Sequence, residues 1–197
     1  EHLEEVGYEV VSDSVFSKIS DTCTPQGVLC VLKQFHYNIE EMLRDKAPLF
    51  LLLENIQDPG NLGTMLRTGE GAGVSGIIMS RDTVDLYNPK VIRSTMGSIY
   101  RVPFYYADDF AAAVHQVQRA GVSVYAAHLR GKNSYACQDY TKGTAFLIGN
   151  EGNGLREETA ELADCYIRIP MEGKVESLNA AVASSILMYE AHRQRAI

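Results

Sequence analysis

The stretch LFLLLENIQDPGNLGTMLRTGEGAGVSGIIMS, Leu49 to Ser80, holds the unit from which the fold can be read. It opens on an apolar run of strand length, LFLLLEN, and closes on another, GIIMS. Between them Leu62, Met65, Leu66 and Gly69 recur at helical spacing. Asp58 offers a side-chain oxygen to the free amides of a first helical turn, and Pro59 carries the φ that suits that turn. The order is strand, helix, strand. Arg67 falls off the apolar stripe, as a solvated surface arginine would.

The same alternation runs outward in both directions. Strands are predicted near GVLCVL, SGIIMS, RVPFYY, VSVYAAHL, AFLIG and CYIRIP. Helices are predicted near Asn38–Asp45, Pro59–Ala72, Pro89–Ser98, Asp108–Ala120, Leu155–Ala163 and Ser177–Arg195. Persistent alternation of this kind predicts an α/β fold with a largely parallel sheet flanked by helices. Pro48 separates an acidic, less regular section, residues 1–47, from the domain predicted over 48–197.

Composition narrows the function classes. The 197 residues are 46% hydrophobic, enough for one well-buried core. No run approaches the roughly 18 apolar residues of a membrane span, and EHLEEVGYEV lacks the basic start of a signal peptide. The reading is a soluble, cytoplasmic protein without a membrane partner. Cys23, Cys30, Cys137 and Cys165 show no metal-like spacing, so they are expected as reduced core thiols, and no metal site is predicted. The formal charge of -7 argues against a generic basic nucleic-acid face, although nine acidic and four basic side chains lie within residues 1–48. The start at Glu1, without Met, is expected to follow an upstream segment.

Two glycine-rich stretches invite a nucleotide reading. GAGVSG, Gly71–Gly76, satisfies the dinucleotide pattern, but a helix precedes it and a strand follows, the reverse of what a pyrophosphate at a helix N-terminus requires. NEGNGL, Asn150–Leu155, follows AFLIG but lacks the Lys and Ser or Thr of a P-loop.

Three stretches place polar residues at the carboxyl ends of predicted strands: ENIQDPGNLGTMLRT (54–68), LIGNEGNGL (147–155) and IPMEGKVESLNAAVA (169–183). In order and spacing they resemble the three signature motifs of the SpoU-type (TrmH-like) RNA ribose 2′-O-methyltransferases of the SPOUT class, over about residues 22–197. The resemblance implies a C-terminal trefoil knot, S-adenosyl-L-methionine as cofactor, a homodimer with its site near the subunit interface, and RNA as substrate, rRNA being favoured over tRNA by the lead-in segment SDTCTPQGV. It also implies that residues 1–47 are a linker or remnant of an upstream RNA-binding domain.

By motif matching, the resemblance assigns cofactor contacts to Gly149, Asn150, Gly152, Ile169, Met171 and Leu178. Gly149 is expected to let backbone approach the cofactor. Catalytic positions fall on Asn61, Arg67, Glu151, Ser177 and Asn179. Glu151 either orders the site or is an acidic residue favoured at a helix start; Ser177 is also an ordinary N-cap. Arg67, always protonated, suits a phosphate clamp rather than a free base. Arg93, Arg101, Arg130 and Lys132 are candidate RNA contacts as well as ordinary surface charges. A base-methylating SPOUT enzyme and a non-catalytic RNA-binding module are the alternatives.

Overall fold

The computed structural model describes residues 7–20, 22–175 and 177–196. Two compact units divide the chain, Glu1–Phe35 and His36–Ile197. In the first, helix α1 (Asp13–Ile19) buries none of its side chains. The strand expected at GVLCVL does not form. Extended backbone becomes a strand only where a neighbour pairs its amides and carbonyls, and no ladder among the described residues includes this segment.

The second unit runs α2 (Ile39–Met42), β1 (Leu49–Leu53), α3 (Pro59–Ala72), β2 (Gly76–Ser80), α4 (Pro89–Thr95), β3 (Phe104–Ala107), α5 (Phe110–Arg119), β4 (Ser123–Ala127), β5 (Asn133–Ser134), β6 (Thr144–Ile148), α6 (Glu157–Ala160), β7 (Cys165–Arg168) and α7 (Ala180–Arg195). Its strands form one sheet in the order β3-β2-β1-β6-β4-β7-β5, with every neighbouring pair parallel. The two-residue strand β5 is too short to show a period in sequence. Helix α4 ends before Ser98 because Met96 adopts a left-handed φ of 50°.

Burial explains why β1 reads as an unbroken apolar run. Its five residues are fully buried, as expected for a strand covered on both faces. Leu49, Leu51 and Leu53 pack in one layer with Leu62, Met65 and Leu66 of α3 and Leu187 and Met188 of α7. Phe50 and Leu52 pack in the other with Ile39 and Met42 of α2 and Val114 and Val117 of α5. The start of α3 is as the sequence predicts: Asp58 Oδ1 accepts from the Asn61 amide at 2.7 Å, and Gly73 ends the helix with φ 78°. At the far end of α7, the Arg195 guanidinium donates to the carbonyls of Tyr140 and Ala47, each at 2.8 Å, which ties the last helix to the strand starts. Among the described residues no helix is long and apolar enough to cross a membrane.

The cysteines are not core thiols. Cys23, Cys30 and Cys137 are exposed and Cys165 is half-buried, all four free. An isolated cysteine carries no periodicity of its own, so nothing local to it distinguishes a core position from a surface one.

Gly63 explains how closely α3 and α4 approach. A Cβ there would lie 1.8 Å from Ser94 Oγ, 2.7 Å from its Cβ and 3.0 Å from its carbonyl carbon. Alanine would gain about 1 kcal/mol of helix propensity but force the helices apart at about 1–3 kcal/mol, and the backbone obstruction puts the cost at the upper end. Gly63→Ala is therefore expected to lower the unfolding free energy by about 1–2 kcal/mol, measured as a reduced denaturant midpoint at unchanged m-value.

Candidate active site

The loops leaving β4, β6 and β7 meet the segment before α7 at the carboxyl edge of the sheet, where open α/β sheets bind ligands. They enclose a cleft of about 280 Å³. Gly149, Asn150, Glu151 and Gly152 form one wall, Ile169, Met171 and Leu178 are apolar, and Ser177 also faces the space. Beside it, Gln57, Asp58, Asn61, Asn150, Glu151 and Asn179 border a shallower polar concavity. Asn150, Glu151 and Gly152 border both.

The loop after β6 closes on itself. The Asn150 and Gly154 backbones exchange hydrogen bonds of 3.0 and 2.9 Å, and Asn150 Oδ1 accepts from the amides of Gly152 and Asn153 at 3.0 Å each. A Cβ on Gly149 would come within 2.2 Å of the Gly154 carbonyl carbon and the Leu155 nitrogen. Glycine is needed at 149 by the turn's own crossing backbone. At Gly152 the nearest atom a Cβ would meet is Asn150 Oδ1 at 3.6 Å, so that position is open.

Glu151 ties this loop to the β1–α3 turn. Its carboxylate accepts from the amides of Gln57 and Asp58, each at 3.1 Å, and from Asn61 Nδ2 at 3.0 Å. Asn61 Oδ1 in turn accepts from Asn179 Nδ2 at 3.0 Å, and Asn179 Oδ1 accepts from the amides of Ala181 and Val182 at 2.9 and 3.2 Å. One hydrogen-bonded chain thus runs through all three sequence motifs. Burial pushes the Glu151 carboxyl up, but the donors from Asn61 and the backbone outweigh it and hold it below the ordinary glutamate value. Glu151 is not in the first turn of a helix, since α6 begins at Glu157.

Helix α7 starts at Ala180 with Asn179 as its cap, three residues later than expected; Ser177 is not the cap. The reason is geometric, since the Asn179 oxygen reaches two first-turn amides. The capping that was expected of Ser177 belongs to Asn179, which spends one amide end on the helix and the other on Asn61.

The basic residues divide. Arg67 is exposed on α3, borders neither cavity and has no ion-pair partner among the described residues. Arg101 is engaged by Glu70, with Nη2 to Oε2 at 3.0 Å, and Arg101 with Ser98 holds the Glu70 carboxyl down at about 2. Arg130 pairs with Glu157. Arg93 and Lys132 are exposed and border neither cavity.

Motif reading left out two contributors. Asn55 adopts a left-handed φ of 53°, and its carbonyl accepts from Asn150 Nδ2 at 2.8 Å. Asn at the end of an apolar strand is a sequence signal for that conformation. His128, after β4, borders the cleft; its Nδ1 accepts from the Arg130 amide at 3.1 Å, and burial pushes the ring's pKa down. Among the described residues no group of three or more His, Cys, Asp or Glu is placed to hold a metal.

A parallel α/β sheet with the second and third motifs around a cleft at its carboxyl edge, and the first at the concavity beside it, is the arrangement expected of the RNA methyltransferases that the motifs resemble. Residues 48–189 match the SpoU rRNA Methylase family, and the chain belongs to it. It is 35% identical over 180 residues to the 23S rRNA (guanosine(2553)-2′-O)-methyltransferase RlmP of Bacillus subtilis, covering 91% of this chain and 70% of that protein. The crystal structure of an AdoMet-bound rRNA methyltransferase from Sinorhizobium meliloti superposes with a TM-score of 0.84 at 36% identity, covering 92% of this chain and 70% of that one. The SpoU methyltransferase AviRb from Streptomyces viridochromogenes gives 0.76 at 30% identity, over 81% of this chain and 64% of that one.

Because the folded pKa of Glu151 is depressed, its contribution to stability is complete above the ordinary value of 4.5 and is lost as pH falls through the lower folded value. Glu151→Gln is expected to be less stable than wild type by about 1–3 kcal/mol near neutral pH. The gap should shrink below about pH 4.5, as followed by denaturant unfolding across pH.

Proposed function

We infer that this chain transfers a methyl group from S-adenosyl-L-methionine to a ribose 2′-hydroxyl of RNA. The observation that carries the reading is the hydrogen-bonded chain Asn179–Asn61–Glu151, set between an apolar-walled cleft and an open polar concavity. The cleft fits the cofactor: Ile169, Met171 and Leu178 provide apolar surface for a purine, and the turned backbone around Gly152 is open to approach. Bound there, S-adenosyl-L-methionine supplies an electrophilic sulfonium methyl.

The side chains divide the remaining work. Glu151 is saturated with donors and held as carboxylate, which suits an orienting group and not the acceptor of the ribose proton. Asn61 and Asn179 each keep one amide hydrogen beyond the chain they form, aimed to hold a hydroxyl oxygen at the concavity. Ser177 stands at the cleft. Arg67, which has no ion-pair partner among the described residues, clamps an RNA phosphate and offsets charge developing on the 2′ oxygen. Arg93 and Lys132 are further phosphate contacts, whereas Arg101 and Arg130 must first leave Glu70 and Glu157.

Ribosomal RNA is the favoured substrate, because relatives such as RlmP are named for 23S rRNA. Such a substrate supports a cytoplasmic location. Family membership also supports a trefoil knot formed by the C-terminal loops and a homodimer. Val182 and Tyr189, about half exposed on α7, suit the dimer contact.

The test is single-turnover transfer of labelled methyl to ribosomal RNA, followed by mapping of the product nucleoside; a methylated base in place of a methylated ribose would overturn the acceptor. Arg67→Ala is expected to slow transfer by about 100–1,000-fold with cofactor affinity retained, and Arg67→Lys to recover little of it. Parallel loss of cofactor affinity in calorimetry would recast Arg67 as structural. Sedimentation at micromolar concentration is expected to give twice the chain mass of 21.8 kDa, and a concentration-independent monomer would remove the shared interface.

A further inference from the structure

Glu54 is 1% exposed, and the chemistry described so far makes no use of it. It follows β1 directly, and it meets both ends of the loop that walls the cleft. Its backbone amide donates to the Ile148 carbonyl at 2.9 Å, immediately before Gly149. Its carboxylate Oε2 accepts from the Arg156 amide at 2.8 Å, immediately after Leu155. Oε1 accepts from Thr159 Oγ1 and lies 3.5 Å from Arg156 Nη1. The other arm of the Arg156 guanidinium pairs with Asp82 beyond β2. A buried carboxylate is costly unless its oxygens find donors; here the donors stand just past the loop's end, while the Glu54 backbone amide holds its start.

We propose that Glu54 is a positioning residue for the cofactor: a two-ended clasp that sets the mouth of the Gly149–Leu155 loop. The proposal rests on the reading of the 280 Å³ cleft as the S-adenosyl-L-methionine site. Glu54 borders neither cavity, so it acts through the loop rather than on the ligand. The loop's internal closure, the Asn150–Gly154 bridge, makes it a rigid hairpin, and rigid pieces must be anchored at both ends to hold a fixed pose. Reach, not charge, is what the clasp requires. Aspartate keeps the charge but retracts the oxygens by about one bond, ~1.5 Å, which takes the Arg156 amide out of hydrogen-bond range. Glutamine keeps the reach: its carbonyl accepts from the Arg156 amide, while its NH₂ donates to a Thr159 hydroxyl turned to accept.

The test is calorimetric binding of S-adenosyl-L-methionine to wild type, Glu54→Asp and Glu54→Gln, with native-state amide hydrogen exchange on each. Glu54→Asp is expected to weaken binding by about tenfold or more, and Glu54→Gln to recover most of that loss. In Glu54→Asp the Asn150 and Gly154 amides should exchange faster while β1 amides such as Leu51 do not, because the loop opens locally and the sheet does not. General destabilisation would speed both sets together, and that result would overturn the proposal. Unchanged affinity in Glu54→Asp, or equal weakening in the two variants, would overturn it too. Absence of binding by wild type would sink the reading of the cleft instead; the exchange arm would then still judge the clasp, and unchanged Asn150 and Gly154 exchange in Glu54→Asp would refute it.

Discussion

The Glu151 carboxylate is bonded to Gln57, Asp58 and Asn61, residues 90 or more positions away in sequence, and the orientation of the Asn61 and Asn179 amides follows from it. An amide side chain has one donating end and one accepting end. With a carboxylate on one side, Asn61 must present its NH₂ there and its oxygen to the other. That oxygen then selects the NH₂ of Asn179, whose own oxygen is left to cap α7. Reversing any one amide would set a lone pair against a lone pair and leave a partly buried group unpaired at about 1–3 kcal/mol. The polarity of the Asn61–Asn179 pair is therefore fixed by one negative charge, and a carboxylate held below the ordinary glutamate value keeps that charge.

That charge reaches its donors because of sheet register. The strands β1 and β6 are neighbours, with Leu53 opposite Ile148, so their carboxyl-end loops leave the sheet at the same height. One residue along a strand is about 3.3 Å. A slip of one position would carry Glu151 past the range of a 3 Å hydrogen bond and would also turn the buried face of β1 over. The five fully buried residues of β1, split between two packed layers, resist such a slip from both sides. Core packing and site geometry are in this sense one constraint: the apolar strand interior sets the level at which polar loops meet.

Much of this arrangement could be read in the sequence, and the reasons are local. Asp58, Pro59 and Gly73 mark the ends of α3 through caps that act within a turn, and β1 announces itself by continuous apolarity. The three polar stretches begin where strands end. What could not be read depends on distant partners. Glu54 looks like an ordinary residue at a strand end until Arg156 and Thr159 are placed on it, 102 and 105 positions away. GVLCVL has strand composition but lacks a strand to pair with. Ser177 and Asn179 are both good caps by residue type, and only the position of the first helical amides chooses between them. Gly149 was readable as a glycine that something must approach, but not that the approaching group is the same loop's backbone.

Charge poses the remaining question, since a chain of net charge -7 must meet a polyanion. Arg81, Arg101, Arg130, Arg156 and Arg193 are each paired with a carboxylate, so much of the chain's arginine is neutralised locally. Among the described residues Arg67 has no carboxylate partner, and it belongs to the helix whose first turn carries Asn61. At physiological ionic strength charges are screened over about 8 Å, so an RNA phosphate near α3 responds to the guanidinium beside it more than to carboxylates across the molecule. On the proposed reading Arg67 registers one phosphate against the site, which by itself is far too little to hold a large RNA. On that reading, bulk affinity and the selection of one ribose are separable tasks, the second falling to Arg67 and the Asn61–Asn179 pair. An acidic catalytic unit has an advantage in that division, because it discourages phosphate backbone from settling anywhere but at the few positions where a cation stands free.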